Sequence, residues 1–275
     1  MERRQEKIYG NGTMKKYLSI YKTLSGMNFS ELVSFRANLI NSLISNLVWG
    51  TFSILLIVVL TSKTPEVFGW TRYELFLLFG IYNIYMGLFY VFFSRSFERF
   101  SQIIHLGELD FVLVKPIDSQ FLMSFRYVNH PAFLRVIVGT IFSAWVLSQM
   151  GVAVTAQSLL LMVLLLVCGI AVMYGIWYIF LTCLIWWTNL TNLVGLLYEM
   201  NGLTRYPGQM FQGISGLLFY SIFPLTLVIT TPAQTLVNKV NYLNIALVAF
   251  FAVLFISISR SFWKFALKFY SSASS

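Results

Sequence analysis

Residues 157–187 run for 31 positions without one charged side chain. An apolar stretch of that length reads as a membrane-spanning helix, because core helices of soluble domains are shorter. At about 1.5 Å per residue it reaches roughly 45 Å, against a hydrocarbon core of about 30 Å. It must therefore tilt or project from the core, and Trp186-Trp187 near its end suit the water interface. Five further apolar runs lie near 38–60, 75–93, 132–150, 211–230 and 243–262. The pattern predicts an all-α polytopic membrane protein with six transmembrane helices, forming a single transmembrane domain over 1–275. Of the 275 residues, 58% are apolar and 11% charged. A soluble domain carries about 25% charged residues, so a soluble enzyme is excluded. The fifth run contains Pro224, with Pro232 close behind. Those prolines leave two readings open: a kinked or broken helix with a short re-entrant or extracellular helix after it, or a Pro-kinked helix of no functional meaning.

The cations sort by side. Arg3, Arg4, Lys7, Lys15, Lys16, Lys22 and Arg36 precede the first run, and Arg95, Arg99, Lys115 and Arg126 join the second to the third. Arg205 lies between the fourth and fifth, and Arg260, Lys264 and Lys268 close the chain. The alternate connections hold only Lys63, Arg72 and Lys239. The positive-inside bias puts both termini in the cytoplasm, as an even number of spans requires. Cations at the ends of apolar runs, rather than along one stripe, argue against nucleic acid as a partner.

Residues 1–13 read as a basic tail with no cleavable signal pattern, and Met14 is an alternative start. Residues 14–27 alternate cations with Tyr17, Leu18, Ile20, Tyr21 and Leu24, the spacing of an amphipathic helix lying at the inner membrane interface. Asn28 and Glu31 resemble a capping pair that opens the first span.

The connection 94–131 is the longest polar stretch. On a helical wheel Arg95, Glu98, Arg99 and Gln102 share one face, and Phe93, Phe97, Phe100 and Ile104 share the other. Gly107 is placed to end that helix. A short extended apolar run and a Lys-Pro break follow. The aromatic face packs either on the protein's own bundle and the membrane interface, or in a groove on a cytosolic partner.

Gly107-Glu108-Leu109-Asp110, followed by Leu113 and Lys115-Pro116-Ile117, resembles the GELD…L…KP stretch of bacterial ABC-2-type exporter permeases. The likeness is to the six-span subfamily related to daunorubicin and multidrug ABC transporter permeases. Arg205-Tyr206-Pro207 and the Pro224 to Pro232 segment are similar to that subfamily's pattern. The resemblance implies a permease subunit whose cytoplasmic coupling helix, after span two, contacts cytosolic ABC ATPase subunits. Phe97, Glu98, Arg99, Phe100, Ile103 and Ile104 would be the coupling contacts, with Gly107, Glu108, Leu109 and Asp110 fixing the turn beyond them. It also implies a second permease of the same family, as a homodimer or heterodimer, and a bacterial plasma (inner) membrane location. The chain itself would bind no cofactor, ATP and Mg residing on the partner ATPase.

The rival functions find little in the residues. No Gly-Lys dipeptide exists, so the chain has no P-loop. The runs hold no Asp, Glu or Lys in their central turns, which disfavours ion-coupled transport, and snorkelling accounts for Arg36 and Arg135. Asp110 and Asp118 are the only aspartates, and His105 and His130 the only histidines. They lack metal-ligand or triad spacing, and His130 before Pro131 suits a helix start. Cys168 and Cys183 read as small apolar fillers. A membrane anchor or sensor subunit remains as an alternative, though an anchor needs no six spans. Asn41, Ser45, Asn46, Tyr82, Asn83 and Tyr85 are the candidate translocation-path residues, with interhelical hydrogen bonding as the plainer account of each. With no charge inside the spans, the expected cargo is amphipathic or apolar: drug-like, lipid or lipid-linked.

Overall fold

The computed structural model describes residues 13–34, 36–64, 66–188, 190, 192–211, 213, 216 and 224–270. The first helix, α1 (Thr13–Ser34), is longer than the interfacial helix expected over 14–27. Asn28 does not cap a new helix. Its Nδ2 donates to the Leu24 carbonyl at 2.7 Å and to the Arg126 carbonyl at 3.1 Å, so it sits inside α1 and ties it to the 94–131 connection. α2 (Arg36–Leu60) follows. A hairpin of β1 (Glu66–Val67) and β2 (Trp70–Thr71) turns through Phe68 and Gly69, both at positive φ, as a two-residue hairpin turn demands.

α3 (Arg72–Phe89) starts in a capping box between Thr71 and Glu74. It does not stop near residue 93. A π-helical turn, Tyr90–Ser94, passes it into α4 (Arg95–His105), giving one 34-residue helix. The wider turn frees the Val91 carbonyl, which accepts the Asn129 N–H at 2.9 Å. Gly107, at φ +69°, ends α4: Glu108 N–H returns to the Ile103 carbonyl and Gly107 N–H to the Ile104 carbonyl. Residues 109–113, expected to be extended, instead form the short helix α5 (Leu109–Leu113), because Leu109 and Val112 bury on one side of a single turn. α6 (Ser119–Phe125) is capped by Asp118, whose Oδ1 accepts the Phe121 N–H at 2.9 Å.

A 3₁₀ turn at His130–Ala132 opens α7 (Phe133–Met150), which Gly151 closes in the left-handed region. α8 (Ala156–Thr182), extended by a 3₁₀ turn to Ile185, accounts for the long uncharged run. α9 (Leu193–Leu203) had no counterpart among the expected spans. Glu199, Asn201 and two glycines dilute its apolar character. Half of the expected fifth span, 211–230, lies outside the described residues. After Pro224 comes the short α10 (Leu227–Leu236), with Pro232 inside it and nearly every residue buried. α11 (Tyr242–Ala266) completes the described chain.

The described residues thus contain four helices long and apolar enough to cross a membrane: Arg72–His105, His130–Met150, Ala156–Ile185 and Tyr242–Ala266. A shorter apolar stretch, Val48–Leu60, makes a fifth candidate. Two close helix pairs hold the bundle. A Cβ on Gly139 of α7 would lie 2.9 Å from the Gly80 carbonyl of α3, and one on Gly175 of α8 would lie 2.6–2.7 Å from Phe255 of α11. Small residues let helices approach where no water drives their association.

Candidate functional site

The aromatic face of α4 turns inward. Phe97 and Phe100 are fully buried, and Ile103 and Ile104 nearly so. Phe97 stacks on Trp177 at 5.7 Å, and Phe100 meets Tyr178 and Trp263 edge-on at 5.5 and 5.6 Å. Of the two readings of that face, its own bundle takes it. Aromatic rings in such a cluster bury too much area to be withdrawn for a partner.

The opposite edge is open. Glu98, Arg99 and Gln102 are exposed, and Arg99 donates to Gln102 at 2.8 Å. Beyond the Gly107 turn Leu109 is buried, Gly107 and Asp110 are half-buried, and Glu108 is exposed. Three apolar side chains stand beside them in solvent: Leu106, Phe111, which is 74% exposed, and Val114, which is 84% exposed. Sequence patterning does not pick out these three: Phe111 falls in a run that reads as extended, and Leu106 and Val114 flank it at the ends of helices whose outward faces the pattern does not assign.

This surface is braced from behind. Arg260 of α11 binds Asp118 through both guanidinium nitrogens and donates to Gln120 at 3.0 Å. Gln120 donates to the Tyr174 hydroxyl of α8 at 3.1 Å, and Ser124 meets the same hydroxyl at 2.9 Å. Burial works to raise the Asp118 carboxyl pKa, but the Arg260 guanidinium and the Phe121 amide overcome it and hold the group below its usual value. At the other end of the helices, Lys239 pairs with Glu74 at 2.7 Å. Arg72 there donates to the Thr61 hydroxyl and carbonyl at 2.8 Å. The sparse cations of the alternate connections therefore gather at the end opposite Asp118.

Between α2, α3, α7 and α9 lies a cleft. Its polar part, about 220 Å³, is lined by Trp49, Ser53, Tyr82, Asn83, Arg135, Glu199 and Arg205, among others. Arg135 does not snorkel. Its Nε donates to Asn83 Oδ1 at 2.9 Å, and its guanidinium lies over the Tyr82 and Tyr90 rings at 5.2 and 5.5 Å. An apolar cavity of about 310 Å³ shares Trp49, Ser53, Phe79 and Arg205 with the polar part and continues past Leu56, Leu60 and Leu75.

Of the candidate path residues, Tyr82 and Asn83 line this cleft. Tyr85 points elsewhere, its hydroxyl donating to the Gly169 carbonyl at 3.1 Å. Asn41 and Ser45 are exposed on α2, and the side chain of Asn46 lies outside the described residues. Arg135 and Glu199 were not among the sequence candidates. An arginine in one apolar run, with Asn83 and Tyr82 in another, was the available signal. No group of three or more His, Cys, Asp or Glu side chains able to hold a metal occurs among the described residues.

The arrangement defines a class: a multi-pass helical membrane protein with a polar cleft between its helices and a structured connection at one end. A family model described as ABC-2 family transporter protein matches residues 47–274, most of the chain. The chain belongs to that family and is a membrane component of an ABC-2 transporter. Membrane domains of this kind typically lack a nucleotide site and work with an ATPase. No curated protein and no solved structure matches the chain.

Proposed function

We propose that the chain is the permease subunit of an ATP-binding-cassette exporter in a bacterial plasma membrane. It moves an amphipathic or apolar molecule, taken from the inner leaflet, on ATP hydrolysed by a separate subunit. In this reading the chain crosses the membrane six times with both termini in the cytoplasm. The observation that carries it is the family match over 47–274, joined to a cleft that is polar at one part and apolar at the next.

The ATPase docks on the outward side of 98–114. Glu98, Arg99, Glu108 and Asp110 give polar contacts, Leu106, Phe111 and Val114 give apolar ones, and Gly107 sets the turn. Phe97, Phe100, Ile103, Ile104 and Leu109 act from beneath as the rigid backing. An apolar surface surrounded by charge at the end of a bundle is the usual form of a protein-binding site. A second permease, identical or related, packs on α2, whose Ile44, Val48, Leu55 and Val59 face outward away from the cleft.

Reconstitution with the ATPase encoded beside this chain tests the reading. Vesicles should accumulate a fluorescent amphiphile only when ATP is supplied. Accumulation driven by an ion gradient without ATP would replace it with ion-coupled transport.

A further inference from the structure

We infer that the cleft between α2, α3, α7 and α9 binds an amphiphile with a phosphate-like anionic head and an apolar tail. The identification of that molecule as cargo rests on the exporter reading; its binding stands on the cleft alone.

The head end is cationic. Arg135 and Arg205 both line the polar cavity, and neither forms an ion pair among the described residues. Asn83 and the two tyrosine rings hold Arg135 in place without neutralising it. Arg205 lies over the Tyr206 ring, and its Nε is buried with no hydrogen-bond partner among the described residues. That Nε is shut off from the cavity, so the pull on a ligand comes from the two unpaired guanidinium charges in the lining, for which an oxyanion is the charge-assisted partner. Glu199 is the one acid in the lining; it is exposed and paired with neither arginine. Two cations against one acid leave the head cavity positive.

The position also matters. Asn83 lies eleven residues into α3 from Arg72, about 16 Å along the helix axis. That is near the middle of a hydrocarbon core of about 30 Å, where an uncompensated charge is retained for function. The tail end is the adjoining 310 Å³ cavity, which meets the head cavity at Arg205, Trp49, Ser53 and Phe79. A water-soluble anion has no use for that second cavity. A molecule with both parts fills both.

The test uses the purified full-length permease in phosphatidylcholine nanodiscs, without ATPase. Three probes carry the same bromine-tipped alkyl tail on a phosphate, a trimethylammonium or a maltoside head. The readout is the quenching lost in Trp49→Phe, since Trp49 borders both cavities. The alkyl phosphate should quench saturably and at least about tenfold more tightly than the other two, a difference of one good charge-assisted contact. Arg205→Gln should weaken it by about tenfold, and Arg205→Lys should recover part of the loss.

Should Arg205→Gln fail to fold, Ser53→Leu, which fills the junction of the cavities, should abolish the quenching instead. Equal binding of all three heads overturns the proposal, and preference for trimethylammonium hands the site to Glu199. Displacement by inorganic phosphate as readily as by alkyl phosphate would make it a free-anion site and overturn the tail. Because no ATPase is present, failure here leaves the exporter reading standing. ATP-independent transport would overturn that reading and leave the cleft.

Discussion

The Tyr198 hydroxyl donates to the Glu98 carboxylate across 2.6 Å, joining side chains 100 residues apart in sequence. Glu98 lies on the outward edge of α4, beside Arg99. Tyr198 lies on α9, next to Glu199 of the cleft lining, and its ring sits 4.9 Å from Trp177 and 5.6 Å from Tyr90. The bond therefore links the proposed ATPase surface to the helix that carries part of the proposed cargo site. A charge-assisted hydrogen bond contributes about 1.5–3 kcal/mol.

Tyr198→Phe should keep the ring packing and remove only that bond. The expected outcome is normal ATPase co-purification and basal hydrolysis, with cargo-stimulated hydrolysis reduced severalfold. Stimulation equal to wild type would show that the signal crosses elsewhere.

Two phenylalanines fourteen residues apart should behave in opposite ways. Phe97→Ala empties a fully buried position and should cost about 3–5 kcal/mol, read as a lower melting temperature in detergent. Phe111→Asp alters a side chain 74% exposed, so melting should be unchanged while ATPase co-purification falls. Retained co-purification in Phe111→Asp would move the docking surface elsewhere.

The difference between those residues explains what the sequence could convey. Period and composition place Phe97 and Phe100 on one face of α4, and Gly107 at its end, because both follow from local geometry. They cannot say whether an apolar face outside the hydrocarbon meets the chain's own helices or another protein. That depended on Trp177, Tyr178 and Trp263, from helices 70 or more positions away. Arg135 was misread for a related reason: a cation near a helix end suggests snorkelling, and only its packing on Asn83, Tyr82 and Tyr90 redirects it inward. α9 escaped notice because its apolar stretch is short and carries Glu199.

The Asp118–Arg260 pair should make the 94–131 connection acid-sensitive. The folded carboxyl pKa lies below the unfolded value of about 3.9. A depressed carboxyl stabilises above its unfolded pKa and loses that contribution as pH falls through the folded one. Melting temperature should thus hold from neutrality to about pH 5 and fall below pH 4. Asp118→Asn should start lower and lose less over that acid range, and an equal loss in both would assign the effect to other acids.

Gly175 should tolerate no larger side chain. A Cβ there meets the Phe255 Cβ and backbone, which belong to a helix that cannot give way locally. Overpacking of this kind costs about 1–3 kcal/mol. Gly175→Ala should lower the melting temperature, whereas Gly202→Ala, with open space at the same test, should leave it unchanged.

Topology can be read by chemistry at two ends of the same bundle. Arg72 and Lys239 gather with Thr61 and Glu74 at one end, and the Asp118–Arg260 pair marks the other. Six spans with cytoplasmic termini put the first group outside. In a background with Cys168 and Cys183 replaced by serine, Lys63→Cys and Lys239→Cys should react with an impermeant maleimide on intact cells. Lys115→Cys should react only after the membrane is opened, since it shares the Asp118 end. Labelling of Lys115→Cys in intact cells would invert the orientation and place the 98–114 surface beyond the reach of any cytosolic ATPase.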